Sequence, residues 1–186
     1  MMLLREPVLK YAQLARTYAQ EGTLSVLTQN YNSFADTSST TGALGQSPLK
    51  SPSVFNFYRP GYIAPSTETG DAGLTAPELQ IVNQASALGY LNFATRFIVQ
   101  GDTDRIGTPV PDFSEELAIA EDPAALVDLL DLKLTGARMN ATTRDAIVDA
   151  VSALEVREKN RDTDLRARVR IAVLMAVASA DFAALN

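Results

Sequence analysis

Ser47-Pro48-Leu49-Lys50 sets a hydroxyl three positions ahead of an amine. That is the S-x-x-K spacing of penicillin-recognising serine enzymes, whose serine opens a helix with the lysine one turn behind it. Nothing else in the chain supplies the S-D-N or K-T-G partners, and Pro52 follows closely, so chance accounts for the match. Asp102-Thr103-Asp104 with Gly107 shares the opening of a calcium loop. An EF-hand would need an oxygen ligand where Ile106 stands and a glutamate where Phe113 stands. An irregular carboxylate site would have to draw on Asp112, Glu115 or Glu116, and the plainer reading is a solvated acidic connector. The aromatic segment Val54 to Tyr62 is the concentrated oddity of the chain. Tyr58, Arg59 and Tyr62 are of the types that line a groove for a sugar, a peptide or another ring-bearing ligand. The structural alternative plugs Phe55 and Phe57 into the core and pairs Arg59 with an acid. Asn92 and Arg96, one helical turn apart, with Glu78, Gln80, Asn83 and Gln84 before them, are placed to hydrogen-bond that segment's backbone. The candidate ligand-binding set is therefore Tyr58, Arg59, Tyr62, Asn92 and Arg96, with no catalytic residue and no metal ligand assigned.

The 186 residues contain no cysteine and no histidine. That removes disulfides, thiol catalysis, zinc fingers and every histidine-based triad. Transition metals prefer imidazole and thiolate, so no cofactor or tightly held metal is expected. The net charge of −6 lacks the basic footprint of a nucleic-acid binder. The longest strongly apolar run, Ile171 to Ala180, is about half the ~20 residues a membrane span needs. Apolar residues at 46% suffice for a sizeable core in one domain of this length.

The elements that must position these residues read as helices. Glu6 and Pro7 suit a first turn, Tyr11, Leu14 and Tyr18 recur at helical spacing, and Gly22 is a stop, giving a helix over 1–22. Residues 23–76 are predicted as a long ordered loop packed on the core. They carry a Ser/Thr-rich run from Ser33 to Thr41, and four of the nine prolines fall between Pro48 and Pro65, too dense for a long helix. Residues 77–186 form the helical core. Thr75 and Glu78 fit a capping box with Pro77 near the start. The first core helix then runs through Val82, Leu88, Leu91 and Phe93 to about Val99. Asp112 to Ala120 is a short helix. Asp122 opens the next, with Leu126, Leu129, Leu130 and Leu134 on one face and Gly136 ending it. Asn140 caps another, striped by Ile147, Val151 and Leu154. A last long helix, from about Leu165, turns Val169, Ala172, Val173 and Ala176 inward, and Arg166, Arg168 and Arg170 are expected to be neutralised by Glu155, Glu158, Asp162 and Asp164. Thr23 to Leu27 is the only strand candidate. The fold class is all-α, a bundle-like helical domain.

In this order the segments resemble a bacterial family, the domain of unknown function 1800. Gly45 through Tyr62, GQSPLKSPSVFNFYRPGY, is similar to its "GQ.P…PSVFNF..P.Y" stretch, and Gly73 to Ile81 to its "GL.APEFQI". Leu130 to Gly136 resembles its "L.LLLTGG", with Ala137 at the second glycine. Arg170 through Phe182 resembles its closing "R…A…L…SPEY", with Ala180-Asp181-Phe182 where Pro-Glu-Tyr is common. Arg5 to Leu9 matches the segment ahead of these. The resemblance implies that the chain is the C-terminal portion of a longer, exported bacterial protein. It implies no mechanism.

Three functions remain open on these residues. One is a non-catalytic structural or interaction module that packs on the missing N-terminal portion of its own chain or on another protein. A second is part of an enzyme whose catalytic residues lie in that N-terminal portion. A third is a ligand-binding module using residues 54–62.

Overall fold

A computed structural model describes residues 3–18, 45–46, 51–100 and 111–185. Gly22, the Ser33 to Thr41 run, the strand candidate Thr23 to Leu27, the Ser47/Lys50 pair, and Asp102 and Asp104 lie outside the described residues. The described residues hold eight α-helices: α1 Pro7–Tyr18, α2 Glu68–Asp71, α3 Gln84–Thr95, α4 Ser114–Ile119, α5 Pro123–Leu130, α6 Ala141–Ser152, α7 Arg161–Ala178 and α8 Ala180–Ala183. The domain is all-α. Its one described strand pairing, between β1 (Leu3–Leu4) and β2 (Ala184–Leu185), is two residues long and antiparallel, with Leu3 opposite Leu185.

The α5 and α6 boundaries follow local chemistry. The Asp122 carboxylate accepts from the Ala124 and Ala125 amides, and Pro123 occupies a first turn where no amide is needed. After Leu130 the chain widens into a π-helical turn, Asp131–Thr135, and stops at Gly136, whose φ of 70° is the left-handed conformation of a helix stop. Asn140 caps α6 by accepting from the Thr143 amide. Ser179 breaks the chain after α7 and caps α8 through the Phe182 amide.

Elsewhere the boundaries move. Thr75 does not cap a helix. Pro77–Ile81 form a 3-10 turn, and Asn83 and Ser86 build the capping box instead: the Asn83 side chain accepts from the Ser86 amide, and the Ser86 hydroxyl accepts from the Asn83 amide. Ser86 Oγ also donates to the Ile81 carbonyl, which binds the 3-10 turn to α3. That restart turns the helix, so Phe93, Ala94, Phe97 and Ile98 enter the core while Val82, Leu88 and Leu91 face outward. α7 begins at Arg161, a turn before the apolar stripe, because Asp162 and Asp164 favour the positive helix end.

α7 lies at the centre, touching α3, α4, α5, α6 and α8. Its Val169, Ala172, Val173 and Ala176 are fully buried. Leu126, Leu130 and Leu134 meet them from the α5 segment, Ile147 and Val151 from α6, and Tyr11, Leu14 and Tyr18 from α1. Each fully buried Leu or Val side chain contributes about 1.5–3 kcal/mol. Phe182, on the short α8, is sealed into the same core.

Candidate functional site

Residues from three distant segments converge at the start of α1. The Glu6 carboxylate accepts from the Tyr58 hydroxyl at 2.7 Å and from the Gln46 amide, while Gln46 in turn accepts from the Val8 backbone amide. Arg5 donates to Gln13 and to the Leu134 carbonyl, and Gln13 donates to that same carbonyl at 2.7 Å. Leu134 is in the last turn before the Gly136 stop, where the carbonyls have no intrahelical partner and side chains satisfy them. Gly45, beside Gln46, has φ +73°, and a Cβ there would stand 3.0 Å from the Ile81 carbonyl, so both conformation and space call for glycine.

Behind this knot opens a cleft of about 280 Å³ between α1, the 3-10 turn, α3 and the end of α7. Ile81, Val82, Leu91 and Val177 give it an apolar wall, and Arg5, Lys10 and Tyr90 give it a polar end. The Lys10 ammonium stands 4.5 Å from the centre of the Tyr90 ring, and the Tyr90 hydroxyl donates to the Val177 carbonyl at 2.8 Å. Arg5 is 5% exposed, and its guanidinium lies on the Phe182 ring at 4.8 Å. Burial, reinforced by the neighbouring positive charge of Arg138, lowers the Arg5 pKa; burial and the charge of Arg5 lower that of Lys10. Burial raises that of Tyr90.

The five residues of the expected ligand set take separate places. Tyr58 is held by Glu6. Burial, then that hydrogen bond, pushes its phenol up to about 12. Arg59 is exposed, and its backbone N–H donates to Gln80 Oε1 at 2.7 Å. The expected Arg59–acid pair does not form with any described residue, whereas Gln80 does hydrogen-bond the loop backbone as anticipated. The Tyr62 carbonyl accepts from the Ala76 amide, closing the loop. Asn92 is exposed on α3, and its backbone carbonyl accepts from the backbone N–H of Arg96, which is half-buried. None of the five lines the cleft. Phe55, expected in the core, is 66% exposed. It sits at the tip of a tight turn in which the Asn56 amide bonds the Ser53 carbonyl and Asn56 adopts φ 69°, which sends the ring outward. Phe57 is only half-buried.

The acidic candidates also resolve. Glu115 and Glu116 both grip Lys133 at 2.7 Å, and Glu116 is fully buried. The second Glu116 oxygen has no hydrogen-bond partner among the described residues. Burial works against the Lys133 charge, but hydrogen bonds to the two carboxylates prevail and raise its pKa. No cluster of three carboxylates suited to a metal occurs among the described residues. Asp164 does not neutralise the α7 arginines: it holds Arg157 in a two-point salt bridge and accepts from its backbone amide. Arg168 instead donates to the Leu154 carbonyl beyond α6 and to the Ala120 and Glu121 carbonyls beyond α4, tying two helix ends to the central helix.

Arg5 and the Leu134 turn are not among the expected site residues, because they meet across 129 positions of chain and carry no short-range signal of that contact. The one sequence signal was that Arg5 to Leu9, Gly45-Gln46, Tyr58 and the Leu134 stretch all belong to the segments that carried the family resemblance. An all-helical domain whose family segments are knotted at one helix start is the class of protein defined here. The chain belongs to the family described as "Protein of unknown function (DUF1800)", whose model matches residues 2–184. No curated protein and no solved structure matches it. No helix among the described residues is long and apolar enough to cross a membrane.

Proposed function

We propose that this chain is a helical interaction module that docks through the outer face of α3 onto another part of its own polypeptide or onto a second protein. The observation that carries this reading is the composition of α3. Its inner face supplies Phe93 and Ala94 to the core, yet its outer side presents Leu88 at 60% exposure and Leu91 at 41%. A helix apolar on both sides is normally covered on both sides. Leu74 and Val99, on either side of α3 in the sequence, are also exposed. Surface of this kind marks protein contact.

The test is a photo-crosslinking side chain placed at position 88 in the protein expressed in its native host, with position 149 on the exposed side of α6 as control. The expected result is one recurrent cross-linked peptide from position 88, absent from 149 and identified by mass spectrometry. Equal labelling from both positions overturns the reading.

A further inference from the structure

The cleft beside α1 holds two cations without a counter-ion among the described residues. Neither Arg5 nor Lys10 forms a salt bridge with any described residue, although Arg5 is almost completely buried. The partners they do have are neutral: the Gln13 amide and Leu134 carbonyl for Arg5, and aromatic faces for both. The nearest acids are engaged elsewhere or peripheral. Glu6 is taken by Tyr58 and Gln46, and Glu78 stands in the lining without pairing either cation. Arg138 adds a third positive charge near Arg5. A charge removed from water is expensive unless it is paired, and two of like sign side by side are more so. The rest of the lining is aliphatic: Ile81, Val82, Leu91 and Val177.

We propose that the cleft binds a carboxylate carried on an unbranched apolar chain, in chemical class a medium-chain fatty acid. The carboxylate sits between Arg5 and Lys10, where both can donate charge-assisted hydrogen bonds to it. The chain lies against the aliphatic wall. A cleft of about 280 Å³ stands at the lower end of small-molecule sites, which suits a tail of medium length. The polar end fixes orientation and the apolar wall supplies most of the binding, the usual division of labour in small-molecule sites. This inference does not rest on the docking role of α3: Leu91 borders both surfaces, but Leu88 lies outside the cleft lining, and titration of the isolated chain with decanoate reads the cleft alone.

The experiment is isothermal titration of the 186-residue chain with decanoate. Decanol serves as the same tail without charge, butyrate as the charge without the tail, and a short peptide ending in leucine with a free carboxylate as the alternative source of the same chemistry. Saturable binding of decanoate, at least about tenfold tighter than decanol and butyrate, is expected. Lys10→Met keeps an unbranched apolar stem on the Tyr90 ring, removes the charge and should weaken decanoate about tenfold. Ala87→Trp, at an exposed position of the lining, should abolish binding by filling the cleft, with thermal melts of both variants showing that they fold. No saturable binding at about 1 mM decanoate, equal affinity for decanol, or tighter binding of the peptide overturns the assignment.

Discussion

The Tyr58 hydroxyl donates a 2.7 Å hydrogen bond to Oε1 of Glu6, a residue 52 positions earlier in the chain. That bond joins the aromatic segment to the first turn of α1, and it makes Tyr58 a clasp where its sequence context suggested a groove-lining ring. The Tyr58 pKa, raised to about 12 by burial and then by Glu6, has a stability consequence. With the folded pKa above the unfolded value of 10, the contribution is complete below pH 10 and is lost as pH rises from 10 to about 12. The melting-temperature gap between the parent protein and Tyr58→Phe should therefore be constant at neutral pH and close over that alkaline window. A gap independent of pH would show that the clasp is not formed.

Asp164 behaves in the opposite sense. Hydrogen bonds from the Arg157 guanidinium and backbone amide depress its carboxyl to about 2. A depressed folded pKa contributes stability that is present above the unfolded value of 3.8 and is lost as pH falls from there to about 2. Asp164→Asn should lower the melting temperature at pH 7 and have no further effect near pH 2. Melts recorded across the acid range decide it.

Lys133 neutralises Glu116, a carboxylate with no solvent exposure. Lys133→Met alone leaves a buried charge without its partner and should cost about 3–5 kcal/mol in urea unfolding. Adding Glu116→Leu should recover part of that loss, because an apolar pair of similar volume avoids the desolvation cost. A double variant less stable than the single one would contradict this account of the pair.

Leu130→Ala, at a fully buried position, should cost about 2–5 kcal/mol. Phe55→Ala, at the exposed turn tip, should stay within about 0.5 kcal/mol. Chemical denaturation of the two variants checks both. A large loss at Phe55 would mean that its ring is covered in solution.

How far the residues alone could lead differs from element to element. The α7 stripe of Val169, Ala172, Val173 and Ala176, the Asp122 and Asn140 caps and the Gly136 stop were all legible, because each depends on neighbours within about one helical turn. So was the all-α class, since summed periodicity outlasts errors at single boundaries. The start of α3 was not legible. Thr75-Ala76-Pro77-Glu78 and Asn83-Gln84-Ala85-Ser86 are both plausible openings, and the choice depended on Ser86 reaching Ile81 while Phe93 and Phe97 packed on α7. Phe55 went astray for a related reason: an aromatic ring signals a need for burial, but a positive-φ residue beside it turned the chain away from the core. The burial of Arg5 belongs wholly to the tertiary structure. Its carbonyl partner at Leu134 lies 129 positions away, and that carbonyl is open to it because the helical stretch ends at Gly136 and leaves its last carbonyls without intrahelical partners. Short-range rules record a helix start at Pro7; packing of the segment ahead of it against the α5 segment and α8 converts Arg5, two residues before that start, into a buried cation at the end of an apolar cleft.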